Sequence, residues 1–166
     1  MSWSLFHTKM YALIGKQHVS RFEFSLTLAT AYHECVLRHY DAFTAGGVVI
    51  NTAPKIQALY QGILQIAEMN RKSHKDVNFV QQIEPYIYVY WTGAVIIGPT
   101  GIVNVTSPGS WVSIHIKQNF DFNVILYAFE SAARIHLATL TGIYTSTVIQ
   151  PPITTPWSGA SLQTFP

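Results

Sequence analysis

Charge is what this chain has least of. Lys, Arg, Asp and Glu make up 11% of its 166 residues, where a typical soluble domain carries about 25%. Hydrophobic residues stand at an ordinary 49%, so Ser, Thr, Gln, Asn, Gly and Pro have taken the place of charge. The little charge present lies in front. Fourteen of the eighteen charged residues precede Pro85. After Glu84 only Lys117, Asp121, Glu130 and Arg134 remain, and from Ile135 to Pro166 there are none. A net charge of +2, thinly scattered, argues against a nucleic-acid surface. The one basic run, Arg71, Lys72, His74 and Lys75, is closed by Asp76 and reads as a solvated helix connection.

Cysteine is nearly absent. A single Cys35 excludes an intramolecular disulfide. Met1-Ser2-Trp3-Ser4-Leu5 does not read as a secretory signal, so the sequon Asn104-Val105-Thr106 is read as chance. Long uninterrupted apolar runs are missing too. The stretch 86–105 is uncharged over the length of a bilayer span. Gly93, Gly98, Pro99, Gly101 and Asn104 break it, and irregular backbone is disfavoured against lipid. A membrane-active, holin-like protein using 86–105 is the rival reading.

Recognisable chemistry is equally scarce. Cys35 and His39 stand one turn apart on a helix, beside His33 and Glu34. No second Cys exists, and His33-Glu34 lacks the following His of a zinc-protease helix. A metal or thiol enzyme built on Cys35 and His39 would need partners supplied from elsewhere, and stands as the third reading. The structural reading places His33 inside a helix interface and makes Cys35 a small buried hydrophobe. Glu84 and Glu130 show no reason for a perturbed carboxyl. Gly46-Gly47 and Gly98-Pro99-Thr100-Gly101 lack the Lys and the glycine spacing of phosphate loops. No catalytic, cofactor-binding or metal residue is therefore expected, and no cofactor.

What is present is helical periodicity. Trp3, Phe6, Met10, Leu13 and Ile14 predict a helix over 3–14. Ser20 and Glu23 form a capping box before the stripe Phe22, Leu26, Ala29, His33, Val36, Leu37 and Tyr40. Gly46-Gly47 closes it. A third helix begins near Pro54 with Ile56, Leu59, Tyr60, Ile63, Ile66 and Ala67 on one face. Asp76 predicts the start of a fourth, kinked at Pro85 and reaching about Trp91, although Tyr86, Tyr88 and Tyr90 alternate as a strand would. The fifth runs over 121–141 on Phe122, Ile125, Leu126, Phe129, Ala133, His136 and Leu140, with Glu130 and Arg134 paired and Gly142 as its stop.

Segments 94–97, 102–105 and 111–116 are β-like, separated by Gly98-Pro99-Thr100-Gly101 and Ser107-Pro108-Gly109-Ser110. From Tyr144 the chain is uncharged and rich in Thr and Pro, yet it keeps Val148, Ile149, Ile153, Trp157, Leu162 and Phe165. The expectation is a mainly α protein. It comprises a helical domain, 1–143, with a short β-hairpin or extended insertion at about 94–116, and an extended C-terminal docking tail, 144–166. Trp157, Leu162, Phe165, Ile153 and Val148 are the candidate interaction residues, with Trp157 as anchor.

Nine Tyr, nine Phe and four Trp beside so little charge match the composition of protein interfaces. The helical N-terminal half, the junction Tyr90-Trp91-Thr92-Gly93-Ala94, the long helix ending Leu140-Thr141-Gly142 and the close Pro151-Pro152, Pro156-Trp157-Ser158-Gly159 resemble small structural subunits of tailed-bacteriophage virions, of the neck, connector or baseplate kind. The resemblance covers roughly the C-terminal half. It implies a non-enzymatic virion component assembled in the host cytoplasm. Its partners would be copies of itself and other structural proteins; the thin charge and the broken 86–105 stretch separately lead to the expectation of neither nucleic acid nor membrane.

Overall fold

The computed structural model describes residues 2–44, 49–50, 53–72, 78–114 and 122–159, and side chains within 3–37, 55–72, 78–114 and 122–159. The chain is mainly α with a smaller β part. In order come α1 (Ser2–Ile14), α2 (Arg21–Thr44), β1 (Val49–Ile50), α3 (Ala53–Lys72), α4 (Phe79–Gln82), α5 (Glu84–Trp91), β2 (Val95–Ile97), β3 (Gly101–Ser107), α6 (Phe122–Thr139), β4 (Thr141–Ser146) and β5 (Thr154–Ser158). α1 packs on α2, α2 on α3, and α3 on α5. The strands form one antiparallel sheet in sequence order.

α1 follows its predicted stripe, with Trp3, Phe6, Met10 and Leu13 buried. At the start of α2, Ser20 Oγ accepts the Glu23 N–H at 3.1 Å. The Glu23 carboxylate does not complete the box; it pairs with Lys16 at the end of α1. The buried face of α2 is Ser25, Leu28, Ala29, Tyr32, Cys35 and Val36. That corrects the predicted stripe, because Phe22 and Leu26 are 55% and 49% exposed. The buried face mixes the small Ser25, Ala29 and Cys35 with the large Leu28 and Tyr32. Ala29 and Val36 lie on it as expected, and Phe22 and Leu26 were the wrong guide to its phase.

Pro85 divides the fourth predicted helix in two. α4 starts at Asn78, whose side chain caps the Gln81 N–H, and α5 starts with Pro85 in its first turn. Asp76 lies outside the described residues. Tyr86, Tyr88 and Tyr90 are helical despite their alternation. The Tyr86 ring lies on Gly62 of α3, so close that a Cβ there would overlap it. Gly93, at φ +66°, then turns the chain from α5 into β2. β2 and β3 make the expected hairpin around Gly98 to Gly101, closed by Gly98 N–H to Gly101 O at 2.9 Å.

Three expectations need correction. Residues 111–114 are not a strand. Trp111 Nε1 donates to Val80 O at 2.9 Å, Ser113 N–H to Gln81 Oε1 at 2.9 Å, and Asn78 Nδ2 to Ile114 O at 3.1 Å. Bonds to α4 and its cap thus take the place of a ladder. Gly142 does not end α6. It lies in β4, opposite Val105 on one side and Trp157 on the other. And the boundary between 143 and 144 falls inside β4, so the described part of the tail belongs to the domain. β5 pairs with β4, and Trp157 is 4% exposed. Strand alternation turns Trp157 inward, where burying its ring is worth more than exposing it.

That placement has a measurable consequence. Trp157→Ala should destabilise the isolated chain by about 3 kcal/mol or more, as a large core truncation. Thermal or denaturant unfolding of the monomer reads this directly. An anchor that only docked on a neighbour would leave the monomer's stability unchanged.

Candidate assembly surfaces

The candidate residues of the tail separate into three groups. Trp157 is core. Val148, Ile149 and Ile153 stay on the surface at 65%, 46% and 50% exposure, in the loop between β4 and β5. Leu162 and Phe165 lie outside the described residues.

The sheet supplies a surface that the sequence reading missed. Its inner face, Ile96, Val103, Val105, Tyr144 and Trp157, is buried. Its outer face is set by register. Val95, Asn104, Ile143 and Pro156 lie in one row across β2 to β5, and Ile97, Ile102, Thr145 and Thr154 in the next. Antiparallel sheets normally turn a polar face to water. Here none of the five strands contains a charged residue, while Ile97 and Ile143 are 41% and 46% exposed. The signal in the sequence was the period-two run Thr141-Gly142-Ile143-Tyr144-Thr145-Ser146, masked by reading Gly142 as a helix stop.

The outer edge of β5 is a different matter. Ser146 N–H donates to Ile153 O at 2.9 Å and Gly159 N–H to Leu140 O at 2.7 Å. Bonded pairs recur every second residue in an antiparallel ladder, so Thr155 and Trp157 face β4 while Thr154, Pro156 and Ser158 face outward. Pro156 has no N–H to offer, and it sits in the middle of that edge. A proline there blocks addition of a further strand.

A second apolar surface lies among the helices. Leu13, Ile14, Val19, Phe24, Ala67 and Phe122 line a groove of about 480 Å³ where α1, α2, α3 and α6 meet. Its rim charges, Lys16 and Arg21, are paired with Glu23 and Glu68.

The titratable groups are structural in their surroundings. His33 is half-buried, and its Nδ1 lies 2.7 Å from the Tyr90 hydroxyl. Burial lowers its pKa, with Glu34 opposing. Cys35 is fully buried and the His39 side chain lies outside the described residues. Among the described residues no three His, Cys, Asp or Glu side chains gather as a metal site requires. Glu130 joins α6 to α1. Its carboxylate meets His7 Nε2 at 2.5 Å and Arg134 Nη2 at 2.6 Å. Burial pushes its pKa up, but the His7 and Arg134 hydrogen bonds outweigh that and hold it low.

His136 is the most unusual group. It is fully buried on α6 with neither ring nitrogen hydrogen-bonded. The rings of Tyr88, Trp91 and Trp111 surround it at about 6 Å between centroids. Burial lowers its pKa from 6.5 to about 3. A closed site without an accessible nitrogen suits neither a ligand nor a proton shuttle; the ring acts as one more aromatic in the core.

No helix among the described residues is long and apolar enough to cross a membrane; residues 86–105 divide among α5, β2 and β3. No family model, curated protein or solved structure matches the chain.

The buried imidazole predicts a pH dependence. The folded state binds its proton less tightly than the unfolded state does. Above about pH 6.5 both forms are neutral and stability is unaffected. As pH falls from there towards 3, the unfolded chain takes up the proton first, and stability drops by up to about 1.4 kcal/mol per pH unit. His136→Leu should flatten this slope in urea titrations between pH 6.5 and 4. An unchanged slope would show that other groups carry the acid sensitivity.

Proposed function

We propose that the chain is a non-enzymatic structural subunit of a larger protein assembly, working through contacts with copies of itself and with other structural proteins. The observation that carries this reading is the outer sheet face: five strands without one charge, presenting Ile97 and Ile143 to solvent. A free monomer keeps charge on such a face for solubility. A face that is covered in the working state has no such need, and charge is depleted at the centre of interfaces. The uncharged loop with Val148, Ile149 and Ile153 extends the same surface character beyond the strands.

The assembly we propose is a tailed-phage virion, at its neck, connector or baseplate. That part rests on the resemblance of the junction at Tyr90 to Ala94 and of the close at Pro151 to Gly159, and on the small, charge-poor make-up of the chain. Subunits of that kind act by shape and contact, which agrees with the structural surroundings of His33, Cys35 and His136.

Sedimentation velocity of the full chain over a wide concentration range tests the reading. The mass should rise above the 18.6 kDa of one chain as concentration increases. Ile143→Lys, which places a charge on the exposed outer face, should weaken that association at least tenfold without altering the unfolding midpoint by more than a few degrees. A chain that sediments as a monomer at every concentration would remove the basis for the proposal.

A further inference from the structure

We infer that residues 108–114 form an acid-released strap: protonation of His136 lifts Trp111 and the strap off α4, α5 and α6 while the helices stay folded. The inference goes beyond the assembly reading and stands without it. Three observations lead to it. First, the strap lies directly on His136. Gly109, at φ +77°, is so close to the His136 carbonyl that a Cβ there would stand 2.6 Å from its oxygen. Two residues on, the Trp111 ring lies 6.0 Å from the imidazole between centroids. The strap is one layer thick. Trp111 is the one buried residue within 108–114, while Val112 and Ile114 are 58% and 68% exposed.

Second, the strap is tied down by side chains. Among the described residues, each of its hydrogen bonds to the rest of the chain has a side chain as one partner. Thr139 Oγ1 accepts the Ser110 N–H at 2.7 Å and Gln81 Oε1 accepts the Ser113 N–H at 2.9 Å. Trp111 Nε1 donates to Val80 O, and Asn78 Nδ2 to Ile114 O. The other rings around His136, Tyr88 and Trp91, belong to α5 and are held by its helical backbone. A segment with few buried apolar contacts opens locally, ahead of the whole fold. The strap is the wall of the cage with that character.

Third, the cage has no place for a charge. Neither ring nitrogen of His136 has a partner, and an imidazolium carries two N–H donors. Tyr88 is the titratable group that α5 turns towards it. A hydrogen bond to Glu84 raises the Tyr88 pKa, so this hydroxyl stays neutral in acid. Trp91 and Trp111 carry no charge, and the five strands contain no charged residue. On α6 itself, Glu130 and Arg134 are paired with each other. A buried charge without a partner is strongly unfavourable, and lifting the thin strap is the shortest way to bring it water. With the pKa lowered from 6.5 to about 3 in the closed form, the open form should gain on the order of a hundredfold between about pH 7.5 and 4.5.

Hydrogen exchange of the full chain, followed by NMR and corrected for intrinsic rates, tests this. Protection of the Ser110 and Ser113 amides and of the Trp111 indole N–H should fall by roughly that factor over this range. The Ala29 and Tyr32 amides, in the buried face of α2, should stay at least tenfold better protected throughout. His136→Phe fills the cage with a ring that does not titrate and should abolish the fall; His136→Leu serves the same comparison if that variant does not fold. Glu84→Gln removes the carboxylate behind Tyr88, and the fall should persist in it. Equal protection of the strap and α2 at every pH would overturn the inference. So would a fall that survives at position 136 without the imidazole, or one that disappears in Glu84→Gln.

Discussion

The fold depends on the aromatic packing that α6 carries through the centre of the molecule. Phe129 stacks on Phe6 of α1 at 5.4 Å and meets Tyr32 of α2 and Trp111 edge-on. Two turns further on, His136 lies among Tyr88, Trp91 and Trp111. Trp91 Nε1 donates to Tyr32 Oη at 2.9 Å, which closes the ring of contacts between α2 and α5. Large rings bury much area with little loss of side-chain freedom. Among the described residues, six helices and a sheet are held together by this means. The ion pairs Arg21 with Glu68 and Lys9 with Glu34 are on the surface and add little.

Because α6 is fixed on one side by these rings, its C-terminal end launches β4 directly. Leu140 is buried, and β4 begins at the next residue. β4 is the hinge of the sheet: it pairs with the β2–β3 hairpin on one side and with β5 on the other. Trp157 then returns the chain to the core. The uncharged C-terminal part thus has two duties that one alternating pattern satisfies. Its inner residues complete the core, and its outer residues, Ile143, Thr145 and Pro156, form a neutral face. Charge is missing from both sides for different reasons, burial on one and the proposed contact on the other.

Much of the helical part was legible in the residues themselves. Ser20 and Glu23 marked the start of α2, Pro85 marked the break between α4 and α5, and the stripe with Leu126, Phe129, Ala133 and His136 marked the buried side of α6. The phase of α2 was legible only in part: Ala29 and Val36 are buried as expected, but Phe22 and Leu26 face out and Ser25, Leu28, Tyr32 and Cys35 complete the inner side. The β part was legible only locally. Glycine and proline between 98 and 101 revealed the hairpin, but the pairing of β3 with β4 joins residues about forty positions apart, and no short-range pattern encodes that. Gly142 looked like a helix stop for the same reason. It is a strand residue whose lack of a side chain leaves room for the Asn104 carbonyl. The tail was read as a docking arm because its apolar residues had no visible core to join. The sheet that receives Trp157 exists only once β4 is in place.

The central claim is that the outer face of the sheet is covered when the protein is at work. Hydroxyl-radical footprinting of the full chain, dilute and concentrated, tests it most directly. Labelling of Ile97, Ile143 and Pro156 should fall several-fold as concentration rises, while Tyr11 and Ile135, exposed on α1 and α6, keep their labelling. Equal labelling of the face at both concentrations would contradict the account.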